Sequence, residues 1–210
     1  MVLVTKTVAG DLIREAFEAG HRDFGENRVQ ELGGKIALLP REIQWHFIGH
    51  LQTNKVRSLV KWMEHGERPV LIHSLDRWEL AELLQKEAER EDLTLSVLLQ
   101  VNTSREAPKS GFLPEEFEAA LGKISLLERL QIKGLMTIGP LTENEGEIRK
   151  SFQTLRRLKE NFEKKVSKSS WELSMGMSSD FEIAVEEGAT MLRIGTAVFG
   201  VRPRRDSHAN

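Results

Sequence analysis

Eight apolar runs of strand length, separated by segments of helical period, recur from one end of this 210-residue chain to the other. They are "VLVTK", "RDFGEN", "QWHFIG", "PVLIHSL", "LSVLLQVN", "IKGLMTIG", "WELSMG" and "MLRIGTAVFG". Strands and helices in strict alternation form a parallel sheet wrapped by helices. With no shift in composition and no Pro/Gly/Ser linker, eight such units predict an α/β protein: a (β/α)8 barrel, one domain over residues 1–210, in preference to an open doubly wound sheet. No G-x-G-x-x-G follows the first run and no Walker-type loop is present, as the nucleotide-binding open sheets would require.

Between the runs, "DLIREAFEAG" predicts a helix stopped by Gly20, and "DRWELAELLQKEAERED" a helix N-capped by Asp76. The charged "ENEGEIRKSFQTLRRLKENFEKKVSKSS" reads as a solvated outer helix. After the eighth run only "VRPRRDSHAN" remains, too short for a full closing helix, so the adjoining outer face should be covered from elsewhere or open.

Charge and composition narrow the function. Thirty Lys+Arg against 32 Asp+Glu give a formal net charge of -2, which offers no broad basic field to nucleic acid or an anionic membrane. With no cysteine there can be no disulfide framework, thiolate metal site or cysteine nucleophile. No apolar run approaches the roughly 20 residues that span a bilayer, and the N-terminus lacks a signal-peptide pattern. The expectation is a cytoplasmic protein with no membrane and no nucleic-acid partner.

In such a barrel the active site forms where the strands end and the βα-loops begin. The ends carry Lys6, Asn27, His46 with Asn54, "HSLD", "VNTSREAPKSGF", "MTIGP", "SMGMSSD" and "RIGT". Taken alone, Lys6 is a strand end reaching water, because a lysine head group is costly to bury unpaired. The last two ends alter that reading. Ser178, Ser179 and Asp180 open a helix, and Gly195 with Thr196 offers close backbone approach and a hydroxyl, at the loops where these barrels hold phosphate; ordinary turn chemistry accounts for the same residues equally well. Arg193 alternates with Leu192 and Ile194, so it points into the barrel if they pack on the helices, and there it needs an acceptor, either a ligand or a buried ion pair. His46 and His50 have a metal-like spacing but no third ligand, and "HSLD" has triad residue types without a nucleophile elbow. Neither is expected to be a metal or catalytic site; a strand-end histidine bonded to the next loop is the simpler account of His73.

A lysine after the first strand, facing a phosphate cradle after the seventh and eighth, suggests pyridoxal 5'-phosphate (PLP) held as a Schiff base, with Arg193 as the cationic neighbour that activates the amine. The stretches "LVTKT", "FGENRVQEL", "WHFIGHLQTNK", "HSLDR", "VNTSREAPKSGF", "GLMTIGP" and "LSMGMSSDFEIAVEEGATMLRIGTAVFG" resemble the pyridoxal phosphate homeostasis proteins, similar to the barrel domain of alanine racemase standing alone. The resemblance implies PLP covalent to Lys6, Asn27 beside it, Ser178, Gly195 and Thr196 on the phosphate, Arg193 at the ring nitrogen, and His46, Met136 and Met175 lining the pocket. It implies a regulatory binder that stores or delivers PLP without robust turnover, with PLP-dependent apo-enzymes as partners and a monomer or weak homodimer as the assembly. The other reading is a fold-type III PLP enzyme such as an amino-acid racemase. A racemase of that kind uses a tyrosine from a second domain, and this sequence contains no tyrosine. One departure is that the chain begins in its first strand, without the family's usual preceding helix.

Overall fold

Eight short parallel strands close on themselves. In the computed structural model, which describes residues 1–63, 70–106, 109–166 and 170–200, β1 (Val2–Val4), β2 (Asp23–Glu26), β3 (Gln44–Phe47), β4 (Val70–Leu75), β5 (Leu95–Gln100), β6 (Leu130–Met136), β7 (Glu172–Met177) and β8 (Met191–Ile194) pair in chain order. The ring shuts because β1 pairs with β8, Leu3 opposite Ile194, as well as with β2, Val4 opposite Gly25. The helices are α1 (Gly10–Glu18), α2 (Val29–Leu38), α3 (Val56–Trp62), α4 (Trp78–Arg90), α5 (Phe117–Ile124), α6 (Glu145–Val166), α7 (Phe181–Glu186) and α8 (Thr196–Phe199). The (β/α)8 barrel expected from the sequence is the fold observed.

Strand alternation divides the core in two. Leu3, Phe24, Trp45, Ile72, Val97, Leu135 and Leu173 join the helix-facing cluster with Ile13, Leu32, Leu59, Leu84, Leu121 and Phe152. Val2, Val4, Leu98 and Met136 are equally buried but lie outside that cluster, on the barrel side. Most of the ring's apolar surface is thus removed from water by amphipathic helices, at about 25 cal/mol per Å².

Three local expectations are corrected. "MLRIGTAVFG" is not one strand: it breaks at Gly195, and "TAVF" winds into α8, where Val198 and Phe199 donate to the Gly195 carbonyl. Short apolar strings fit either period, and here the helix prevails. Asp76 does not cap α4, which Arg77 precedes; its carboxylate accepts from Arg77 and His50 instead. Asp180 occupies the N-cap position of α7, but its Oδ1 accepts from Met177 N at 2.6 Å, bracing the loop rather than the helix. The helix ending at Gly20 is as expected: Gly20 takes a left-handed φ of 100°, and His21 N–H returns to Ala16 O. The "VRPRRDSHAN" tail lies outside the described residues.

Candidate functional site at the C-terminal mouth of the barrel

Lys6 sits in a turn fastened from both sides. Thr5 extends the β1 ladder, its N–H on Gly25 O, and its hydroxyl points outward to Gly25 O and Glu26 Oε1 (2.6 Å). Alternation then puts Lys6 on the barrel side, half-buried. Val8 N–H closes the turn on Thr5 O at 2.8 Å. Between them Thr7 takes φ 63°, a left-handed conformation that a β-branched residue adopts only under constraint. The constraint comes from α2: Glu31 accepts from Thr7 N–H at 3.0 Å, and Lys35, one turn further on, donates to Thr5 O at 2.7 Å and to Glu26 Oε1 at 2.5 Å. The i, i+4 spacing of Glu31 and Lys35 aims both at the lysine-bearing turn.

Continuing the β1/β2 register past Val4 and Gly25 brings Asn27 level with Lys6. Asn27 Oδ1 is buried and has no hydrogen-bond partner among the described residues, an orphaned acceptor at the mouth. Its backbone is fixed by Gly49, where a Cβ would lie 2.1 Å from Asn27 O; any side chain there would displace it. Opposite, Gly195 N–H donates to Ser178 Oγ at 3.4 Å and ties the β7 and β8 loops together. The Thr196 and Ala197 N–H groups precede the first helical hydrogen bond of α8, and Thr196 is exposed. An amine, an orphaned amide oxygen, two hydroxyls and open backbone donors around one mouth are a set of polar groups that fits a phosphorylated aromatic aldehyde.

Arg193 points into the barrel, buried, as its alternation implied. It finds no ion-pair partner among the described residues: Nη1 donates to Ser174 Oγ at 2.7 Å and Nη2 to Thr137 O at 2.8 Å. Burial lowers its pKa to about 10, against the opposing charge of Asp180, and it stays cationic at neutral pH. Beneath it, Ser174 Oγ meets His73 Nδ1 at 2.9 Å, His73 Nε2 meets His46 Nδ1 at 2.9 Å, and His46 Nε2 meets Asp23 Oδ1 at 3.1 Å. Burial, then His46 and Arg193, push His73 well below the usual histidine range. The hydrogen bond from His46 is the main reason the Asp23 carboxyl lies below its usual value.

The other pocket residues read from the sequence fall differently. Met136 is buried on the barrel side of β6, opposite Gln100 and Ser174. Met175 turns to the helix-facing core, because its neighbour Ser174 takes the inward direction. His46 points inward but toward the opposite mouth, lining a cavity of about 380 Å³ with Asp23, Lys133 and Glu172. His73 is not at a strand-end loop contact but fully buried between His46 and Ser174. Lys109, not singled out from the sequence, lies on the C-terminal mouth between cavities of about 210 and 620 Å³, where it donates to Gly139 O at 2.7 Å and pairs with Glu106.

Residues 3–203 match the family of the alanine racemase N-terminal domain, which is the class that this barrel and its lysine-bearing mouth define. Pyridoxal phosphate homeostasis protein of Aquifex aeolicus is 44% identical over 199 residues, 94% of this chain and 85% of the relative. That of Synechocystis sp. is 42% identical over 204 residues, covering 96% and 91%. The chain belongs to the pyridoxal phosphate homeostasis protein family. The solved structure of PipY of Synechococcus elongatus with PLP bound superposes with a TM-score of 0.82 at 39% identity, over 95% of this chain and 92% of that one. Alanine racemase of Clostridium difficile, 15% identical with a TM-score of 0.74, shares the fold over 98% of this chain and 52% of its own. No helix among the described residues is long and apolar enough to cross a membrane.

Proposed function

We propose that this chain binds PLP at the C-terminal mouth of the barrel and acts in its cytoplasmic homeostasis, storing the cofactor or delivering it to PLP-dependent apo-enzymes. The observation that carries the reading is the fastened turn at Lys6, level with the orphaned Asn27 amide and across the mouth from the linked Ser178–Gly195 loops. Ser178, Gly195 and Thr196 hold the phosphate, Lys6 forms the Schiff base, Asn27 sits beside it, and Arg193 reaches the ring nitrogen from below. Bound PLP supplies an electrophilic carbon for an amine and an electron-withdrawing ring. An arginine at that nitrogen donates without protonating it, so the ring stays a weak electron sink, which suits holding the cofactor rather than turning over amino acids. The chain works as a monomer or weak homodimer.

Competition between PLP and unphosphorylated pyridoxal tests the reading. Loss of the phosphate contacts should weaken binding by at least about a hundredfold, the worth of two or three charge-assisted hydrogen bonds. Equal affinity for the two would remove the cradle from the account. Chiral analysis after incubation with L-alanine tests the racemase alternative, which sustained conversion would favour.

A further inference from the structure

Five polar side chains form a single hydrogen-bonded file down the axis of the barrel, from Arg193 through Ser174, His73 and His46 to Asp23. The rest of that interior includes Val2, Val4 and Leu98, and apolar residues would fill the space without the desolvation that two imidazoles and a guanidinium incur. We infer that Asp23, His46, His73 and Ser174 are positioning residues for Arg193, and that the file stores a proton at its Asp23 end, loosening the hold of Arg193 on the cofactor when loaded. The inference rests on the reading above that Arg193 faces bound PLP.

With both imidazoles neutral, the two ends fix the direction of the file. A guanidinium only donates, and an ionised carboxylate only accepts. Arg193 therefore donates to Ser174 Oγ, the Ser174 hydroxyl to His73 Nδ1, His73 Nε2–H to His46 Nδ1, and His46 Nε2–H to Asp23. Both imidazoles are neutral in this state and carry their proton on Nε2. One further proton reverses the middle of the file. In the loaded state Ser174 keeps a hydroxyl proton, His73 carries its proton on Nδ1 instead of Nε2, and His46 carries one on each nitrogen, the added proton being taken up from solvent. Only N–H and O–H bonds change, and the file gains one proton. His46 is then an imidazolium against the Asp23 carboxylate, whose side chain is 44% exposed at the far mouth. Ser174 Oγ now accepts from both His73 and Arg193, and Arg193 shares its acceptor.

The charged groups around the file favour this resting place. His46 faces Asp23 on β2 and His73 on β4, and Lys133 on β6 and Glu172 on β7 line the same cavity. The N-terminal ammonium and then His21 act on Asp23 from beside β1 and β2. At the other end Arg193 opposes a charge on His73, and Asp180 acts on Arg193. Arg193 repels the proton from one end, and the Asp23 and Glu172 carboxylates, set against Lys133 and the N-terminal ammonium, hold it at the other.

Nitrogen-15 spectra of the histidines in the cofactor-free protein test the file by itself. Near neutral pH, His46 and His73 should both carry the proton on Nε2, and on acidification their resonances should change together in one step. In Asp23→Asn, which keeps an acceptor for His46 but not its charge, that step should move to lower pH by about one unit. An Nδ1 proton on either residue at neutral pH, or a step unmoved by Asp23→Asn, overturns the inference. PLP affinity measured against pH tests the coupling. The wild type should lose about fivefold to tenfold on the acid side of the same step, about 1 to 1.4 kcal/mol. In Asp23→Asn that loss should shift with the step, with the neutral plateau within about twofold of wild type. A uniform loss at every pH would mark Asp23 as merely structural and overturn the coupling. Absence of PLP binding by the wild type at any pH would instead sink the cofactor reading, and the nitrogen-15 spectra would still decide the file.

Discussion

Lys35 Nζ lies 2.5 Å from Glu26 Oε1 and 2.7 Å from the carbonyl oxygen of Thr5, so a single ammonium on α2 joins the end of β2 to the residue before Lys6. Glu26 is fully buried and Lys35 half-buried, with 15% of its side chain exposed. Removing one partner of such a pair strands the other charge. Lys35→Met should therefore destabilise the fold by about 3 kcal/mol in urea unfolding, with Lys35→Met/Glu26→Gln recovering more than half of the loss. A single variant within about 0.5 kcal/mol of wild type would show that the pair does not fasten the turn.

Gly49 makes a second structural claim on the site. A Cβ there meets the Asn27 backbone oxygen at 2.1 Å, and backbone cannot swing aside as a flexible side chain can. Gly49→Ala should cost about 1–3 kcal/mol and weaken PLP binding further than that loss of folded protein explains, because Asn27 is pushed from its place. Unchanged affinity in the fully folded variant would remove Asn27 from the site.

His73 makes stability depend on pH. Its folded pKa is depressed, above all by burial, while the unfolded residue takes up a proton near its ordinary value. The unfolded state thus binds more protons below about pH 6.5, and stability present above that point falls by up to about 1.4 kcal/mol per pH unit as the pH drops, until the folded state also protonates. Chemical denaturation at stepped pH should show this slope between about pH 6.5 and 5.5 in wild type and lack it in His73→Gln. A slope that survives the substitution must come from another group.

Far from the mouth, Glu187 anchors α6 to the end of α7. Burial would raise its pKa, but Arg149 and Gln153 hydrogen-bond its carboxylate and the charge of Arg156 adds to them, holding it below the usual range. Its contribution is therefore present above about pH 4.3 and lost as the pH falls through the depressed folded value. Glu187→Gln should cost about 1–3 kcal/mol at pH 7, and the difference from wild type should shrink below about pH 4. A pH-independent difference would mean that packing rather than charge sets the cost.

The barrel was legible because each strand carries its own alternation and each helix its own apolar stripe, and those patterns are local. "TAVF" escaped because four apolar residues fit both periods until Gly195 breaks the strand. Lys6, Asn27, Ser178, Gly195 and Thr196 could be placed at one mouth from chain order alone, since parallel strands put every βα-loop at the same end. Met175 could not, because in a strand a shift of one residue reverses the face, and only the inward turn of Ser174 decides it. The file was beyond sequence reasoning for a different reason: His73 and Ser174 are 101 residues apart, and only closure of the ring brings them to 2.9 Å. The clamp on the Lys6 turn left a partial trace, Glu31 and Lys35 four apart in α2, but nothing in their spacing names the turn they reach.

Lys6 is where the cofactor reading is tested most directly. Saturating the protein with PLP, reducing with borohydride and mapping the modified peptide by mass spectrometry should place one pyridoxyl group on Lys6, and Lys6→Ala should lose both the label and the Schiff-base absorbance. A label on Lys109 or any other lysine, or a Schiff-base band that survives in Lys6→Ala, would contradict it.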